Sequence, residues 1–329
     1  MWLVRDTACV AAKLTRHLLF SVVSVVSVVP ALAFDPVLPG KSLEFPRDRG
    51  AHFGHRIEWW YATGHIEEIG PRASVAGATP GATIGFQVTF FRVRNPDAES
   101  NPSRFAPKQL LFAHAAIADP ARGKLLHAQK SARLLEGLVE ASLADTDVRL
   151  DDWSLTRADG AYRARIPAAE FTLELSMVPT QPAMLQGERG FSRKGPGAAN
   201  ASYYYSEPHL AVTGRVAVGG TAREVRGVAL MAFRIRDKAG MTLWSNAAIR
   251  DPASPQRAPR GEGEATFTPL RRWKSPRTGV EYPIAMEVRA GGTTWRVEPL
   301  MDDQELDARA STGTLYWEGA VRVRSAPSQ

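Results

Sequence analysis

Apolar and polar residues alternate with a period of two along most of this chain. Gly85–Arg94 sets Phe86, Val88 and Phe90 against Gln87 and Thr89, the spacing of a strand with one face buried. Similar short runs occupy Leu110–Ile117, Phe171–Val178, His209–Val218, Leu230–Ile235, Thr293–Val297 and Leu315–Val323. Clusters of Pro, Gly, Asp and Asn separate them, as they separate short strands. Only Ala128–Leu143 has helical spacing, and Gly137 within it weakens a helix by about 1 kcal/mol relative to Ala. Loops are predicted over Gly77–Ala82, Glu188–Ala201 and the Pro-rich Asp251–Gly263. The pattern predicts an all-β chain of closed or nearly closed antiparallel sheets, which leave few exposed edges.

The first 33 residues differ from the rest. Arg5, Lys13 and Arg16 precede an apolar run from Leu18 to Val29, and Ala31-Leu32-Ala33 follows. A basic start, a run of about a dozen apolar residues and a small-x-small ending form a secretory signal, because the run is short for a membrane span. Cleavage is expected after Ala33; an uncleaved N-terminal anchor is the rival reading. Cys9, the only cysteine, lies inside this segment, so the mature chain carries no thiol chemistry. The segment holds three of the bases and one of the acids, so the formal charge falls from +7 to +5 on its removal. That excess is spread without a like-charge block, and nucleic acid is not an expected partner. No second apolar segment reaches membrane length, so no spanning helix is expected after cleavage.

The densest candidate chemistry lies at Glu58-Trp59-Trp60-Tyr61. On a strand, Ile57, Trp59, Tyr61 and Thr63 face one way and Arg56, Glu58, Trp60 and Ala62 the other. A buried carboxyl beside an indole can serve as a proton donor, because burial raises its pKa, and aromatic faces stabilise a carbocation. The simpler reading makes Glu58 a structural partner of Arg56 or of a backbone group. His114 alternates with Phe112 and Ala116 and reads first as a satisfied core histidine. His52, His55 and His65 lack the spacing of a metal site, and no metal is expected. Gly190-Phe191-Ser192-Arg193-Lys194-Gly195 fails the G-x-S-x-G pattern. Ser192 and Lys194 could pair, although a basic loop is the plainer reading. Asp302, Asp303 and Glu305 read as a solvated turn. Tyr203, Tyr204 and Tyr205 place two rings on one face and one on the other, as barrel packing would.

The chain also echoes itself. Phe171–Leu175 leads through Val178-Pro179 and a loop to Tyr204-Tyr205-Ser206-Glu207; Trp295–Leu300 leads through a loop to Leu315-Tyr316-Trp317-Glu318-Gly319. Two similar β domains are therefore expected, 34–210 and 211–329, with the change between about residues 205 and 220.

Several ordered motifs carry a resemblance. Phe45-Pro-Arg-Asp-Arg-Gly50, Glu58-Trp-Trp-Tyr-Ala-Thr-Gly64, Phe86–Arg92, Phe112–Ile117, Asp152-Trp-Ser-Leu155, Ser192-Arg-Lys-Gly195, Ala201–Ser206 and Tyr316-Trp-Glu-Gly319 together resemble the AttH-like, carotenoid 1,2-hydratase-like family. The resemblance implies two tandem lipocalin-like barrels. It also implies a box like Trp-x-Asp-x-Glu-Trp, often with a His, to which hydration chemistry is usually ascribed. Here Val225–Ala229 runs straight into Leu230-Met-Ala-Phe-Arg234, and that box is missing. The closing Gly- and Tyr-containing strand is missing too. The second barrel is thus expected to be incomplete, deleted near 227–231 and truncated at its end. The exported chain is expected to hold an elongated apolar molecule, isoprenoid- or lipid-like, against Glu58, Trp59, Trp60, Tyr61, His114 and Tyr204, with no cofactor. The alternatives are a hydratase adding water to an isoprenoid double bond, with no position assigned a catalytic role, and an accessory protein of a membrane transporter.

Overall fold

The computed structural model describes residues 34–69, 83–194, 200–236, 246–249, 260–264, 266–290 and 292–325. The expected signal segment and the Gly77–Ala82 loop lie outside the described residues. Among them there is no α-helix; the strands are β1 (Ile57–Glu68), β2 (Ile84–Arg94), β3 (Gln109–Ala118), β4 (Leu126–Arg133), β5 (Val139–Ala141), β6 (Asp147–Leu150) and β7 (Trp153–Ala158). There follow β8 (Ala161–Pro167), β9 (Phe171–Pro179), β10 (Met184–Leu185), β11 (Phe191–Arg193), β12 (Ala201–Val218), β13 (Thr221–Arg236), β14 (Asn246–Ile249) and β15 (Arg260–Glu264). The last are β16 (Thr266–Lys274), β17 (Glu281–Ala290), β18 (Thr293–Pro299), β19 (Glu305–Ala308), β20 (Thr314–Trp317) and β21 (Val321–Ser325).

The first thirteen strands form one sheet in the order β4-β3-β2-β1-β13-β12-β9-β8-β7-β6-β5, with β10 and β11 both on β12. Its two ends come together at the turn through Gly137 (φ 78°), where Leu135 N donates to Val139 O at 2.9 Å. The sheet is therefore a nearly closed barrel. Alternate residues point inward, and Trp60, Phe90, Leu111, Trp153, Leu155, Tyr162, Ile166 and Tyr205 are all buried. Side chains thus fill the interior as a packed core.

The helix expected over Ala128–Leu143 is not there. β4 continues the ladder of β3, pairing Phe112 with Ser131 and His114 with Gln129, and Gly137 takes a left-handed turn before β5. Pairing along a whole strand outweighs the local helical spacing. Two predicted loops also hold strands: β11 lies within Glu188–Ala201, and β15 begins at Arg260. Residues 211–236, placed by the sequence in the second domain, complete the first sheet, because β12 runs unbroken to Val218 and β13 closes on β1. Gly227 sits mid-strand in β13. A Cβ there would meet His65 O at 2.0 Å, and one at Gly64 would meet Val228 O at 2.3 Å.

The remaining described strands make smaller sheets. β16-β17-β18-β21 is an open four-stranded sheet, and β14-β15 and β19-β20 are hairpins. Register puts Phe267, Met286, Val288, Val297 and Val323 on one face of the four-stranded sheet. Phe267 is 46% exposed and Val323 57%. The acidic cluster is not a solvated turn throughout: Glu305 is buried and accepts from Ser275 Oγ (2.9 Å) and Thr278 Oγ1 (2.7 Å).

Candidate functional site

β1 divides the expected site residues between two environments. Glu58 and Trp60 point into the barrel and are fully buried. The partner of Glu58 is not Arg56. Arg92 Nε donates to its Oε1 at 2.7 Å, His52 N donates to the same oxygen at 2.8 Å, and His52 Nδ1 lies 3.2 Å from Oε2. Arg92 also donates to the carbonyls of His55 (2.7 Å) and His52 (2.8 Å), which ties the lead-in segment to the sheet. Trp60 Nε1 donates to Arg49 O at 2.8 Å. Burial pushes the Glu58 carboxyl up, but the His52 hydrogen bond and the Arg92 charge outweigh it and hold the pKa below its ordinary value. Burial disfavours the His52 imidazolium, yet its bonds to Asp48 (2.9 Å) and Glu58 hold its pKa above the ordinary value. Glu58 is thus an ionised, fully engaged carboxylate, the opposite of a proton donor.

Trp59 and Tyr61 face outward and are half-buried. In register across β13 lies Tyr204, whose hydroxyl is 3.5 Å from that of Tyr61. On the β2–β3 side Trp59 meets Phe91 (centroids 6.3 Å), and Phe91 meets the edge of His114 (5.2 Å). His114 is buried beneath the β19–β20 region: Nδ1 is 2.9 Å from Tyr316 Oη and Nε2 2.8 Å from Ser311 Oγ. Burial, helped by the charge of His127, lowers its pKa to about 4, so it is neutral at pH 7. Four of the six expected residues, Trp59, Tyr61, His114 and Tyr204, thus share one outer face; Glu58 and Trp60 do not.

Three groups on or beside that face were not foreseen as part of the site. Glu318, from the Tyr316–Gly319 motif, keeps part of its surface open, while protein crowds its carboxyl. That crowding raises its pKa, and the bond from Gln87 Nε2 (3.1 Å) offsets it only in part. Glu318 lines a cavity of about 30 Å³ with Thr63, Gln87 and Ala116, room for a water molecule. A cleft of about 350 Å³ adjoins it, sharing Thr63, Gly64 and Ala320. At the other end of the face, Lys194 Nζ donates to Ser192 Oγ at 2.5 Å and lies 5.0 Å from the Tyr204 ring centre. Strand alternation alone would have put Ser192 and Lys194 on one side. The contact between Gln87 and Glu318 joins residues 231 apart in sequence and had no local signal. Among the described residues no group of three or more His, Cys, Asp or Glu is arranged to hold a metal ion.

A family model described as AttH-like matches the chain over residues 36–230 and again over 226–329. The two matched segments meet at 226–230, within β13. The crystal structure of an AttH-assigned protein from Nitrosomonas europaea is similar at 43% identity, covering 89% of this chain and 95% of its own, with a TM-score of 0.78. Kievitone hydratase from Nectria haematococca is similar in fold at 14% identity, covering 90% of this chain and 94% of its own, with a TM-score of 0.54. No curated protein matches the sequence.

Proposed function

The chain belongs to the AttH-like family, and on that premise we propose that it is an exported binding protein for an elongated apolar molecule, isoprenoid- or lipid-like. The observation that carries this reading is the half-buried aromatic run on the outer face of the barrel: Tyr204, Tyr61, Trp59 and Phe91. The interior of the barrel supports it by contrast, since side chains already fill it. Aromatic walls with few polar groups suit apolar ligands. Export rests on the basic, apolar and small-residue order of the first 33 residues. The test is titration of the purified mature protein with an acyclic carotenoid, read by tryptophan fluorescence. Saturable quenching that Trp59→Ala weakens at least tenfold supports the reading; no quenching at any concentration sinks it.

Glu318 favours a second reading, a hydratase adding water to an isoprenoid double bond. A carboxyl with a raised pKa beside a water-sized cavity supplies a proton donor and a place for water. The acid would protonate one carbon of the double bond, and the water would add to the cation and return a proton. Hydroxylated product from the same incubation, above a buffer control and lost in Glu318→Gln, would establish this reading in place of simple binding.

A further inference from the structure

The four-stranded sheet ends on a strand with an open edge. Among the described residues β21 pairs with β18 alone, so one row of its backbone N–H and C=O groups has no strand beside it. β16, at the other side of the sheet, is blunted: Pro269 has no N–H to offer, and the ladder to β17 shifts register twice between Pro269 and Arg272. β21 carries neither device. Alternation sets Val321 and Val323 on the apolar face with Val297 and Met286, and Arg322 and Arg324 on the other. All four residues of β21 are exposed. Val321 and Arg322 point to opposite faces, yet both line the cleft of about 350 Å³ described above, so that cleft opens along the edge of the strand. Its other wall is the outer face of β1 at Thr63, His65 and Glu67.

Charge decides what such an edge can take. Arg324 stands opposite Arg296 in the ladder, a like-charge pair, and Arg296 holds the carboxylate of Glu298 at 2.9 Å. Neither the Arg322 nor the Arg324 guanidinium has an ion pair among the described residues. The acid of the cleft, Glu67, has Thr83 Oγ1 at 3.4 Å and belongs to the β1 wall, not to the sheet face that carries the two arginines. A second copy of this chain fits the edge badly. Every antiparallel register that pairs most of β21 with its own copy, and keeps the apolar faces together, sets Arg directly against Arg. A strand alternating apolar and acidic residues fits well. Its carboxylates face Arg322 and Arg324, and its apolar side chains extend the row of Val321 and Val323. We infer that the open edge of β21 receives an extended acidic and apolar segment of another protein as an added strand, seated in the cleft over β1. This surface is separate from the aromatic run proposed above to bind the apolar molecule.

The probe is a capped, fluorescent hexapeptide alternating Val and Glu, titrated with the mature chain and read by anisotropy. It is expected to bind at least tenfold tighter than the same peptide with Lys in place of Glu. Arg322→Glu combined with Arg324→Glu is expected to reverse that order. Both side chains are exposed, circular dichroism and a thermal melt establish that the double variant is folded, and the wild-type comparison stands without it. N-methylation of every peptide amide is expected to abolish binding, because an added strand needs those N–H groups. No binding, equal binding of the two peptides, a preference unchanged in the double variant, or binding that survives N-methylation overturns the inference and leaves apolar binding intact. A dimer in sedimentation that Val323→Asp dissociates would assign the edge to a second copy and overturn it as well.

Discussion

The two faces of β1 differ by one residue of register and by almost everything else. Inward, Glu58 and Trp60 have every polar atom engaged: the carboxylate by Arg92 and His52, the indole N–H by Arg49 O. Outward, Trp59 and Tyr61 are half-buried; Trp59 lies at a tilt to Phe91 with ring centres 6.3 Å apart, and the Tyr61 hydroxyl is 3.5 Å from that of Tyr204. A fully satisfied polar network in a packed core fixes structure and has nothing left with which to meet a ligand. A half-buried aromatic face still has free energy to gain from further burial. The Glu-Trp-Trp-Tyr segment is therefore one strand with two environments, a satisfied core network inside and, on the binding function proposed above, a recognition face outside.

The inner face should break first. Glu58→Ala leaves Arg92 buried without its carboxylate, a loss of about 3–5 kcal/mol. Trp60→Ala opens a cavity in the filled barrel and costs about 3–5 kcal/mol. Against a total of about 5–15 kcal/mol, either is expected to leave much of the protein unfolded. Urea unfolding of the two variants measures this, and a midpoint close to that of the wild type would contradict the assignment of Glu58 to the core network.

The histidines beside the two faces should respond to pH in opposite senses. His52 has a raised folded pKa, so its contribution is complete below the unfolded value of about 6.5 and is lost as pH rises through the folded value. Glu58 has a lowered folded pKa, so its contribution is complete above about 4.5 and is lost as pH falls through the folded value. His114 has a folded pKa lowered to about 4, so its contribution is complete above 6.5 and is lost between 6.5 and 4. The His114 effect amounts to about 3 kcal/mol at most, taking about 1.4 kcal/mol per unit. Unfolding free energies at pH 7 and pH 4.5 should therefore differ less in His114→Phe than in the wild type. An unchanged difference would mean that His114 does not carry the acid sensitivity.

Period-two alternation made the strands legible, and it put Trp59 and Tyr61 opposite Glu58 and Trp60 before any contact was known. Alternation says which residues share a face but not which face is inside, so it separates Glu58 and Trp60 from Trp59 and Tyr61 without saying which pair is left for a ligand. Local spacing also misled at Leu134, Leu135, Leu138 and Val139, which fit a helix until β4 finds β3 and Gly137 turns the chain. The groups that complete the outer face come from far away. Tyr316 reaches His114 across 202 residues, and Glu318 reaches Gln87 across 231. Nothing within a strand signals such a meeting, since it depends on how the later hairpin packs on the barrel.

The smallest expected change in stability belongs to the outer face and sharpens the contrast most. Trp59→Ala removes a half-buried ring whose described aromatic neighbour is Phe91 at 6.3 Å, and the sheet hydrogen bonds of β1 to β2 and β13 are made by backbone that the substitution leaves in place. Its cost is expected near 1 kcal/mol, within the ordinary range for point substitutions and several-fold below that of Trp60→Ala. The two indoles are sequence neighbours on one strand, so intrinsic propensity and backbone are nearly matched between them. Parallel urea titrations of the two variants isolate the face as the variable. Equal destabilisation would mean that Trp59 is core, and the outer face would then have no aromatic wall to offer a ligand.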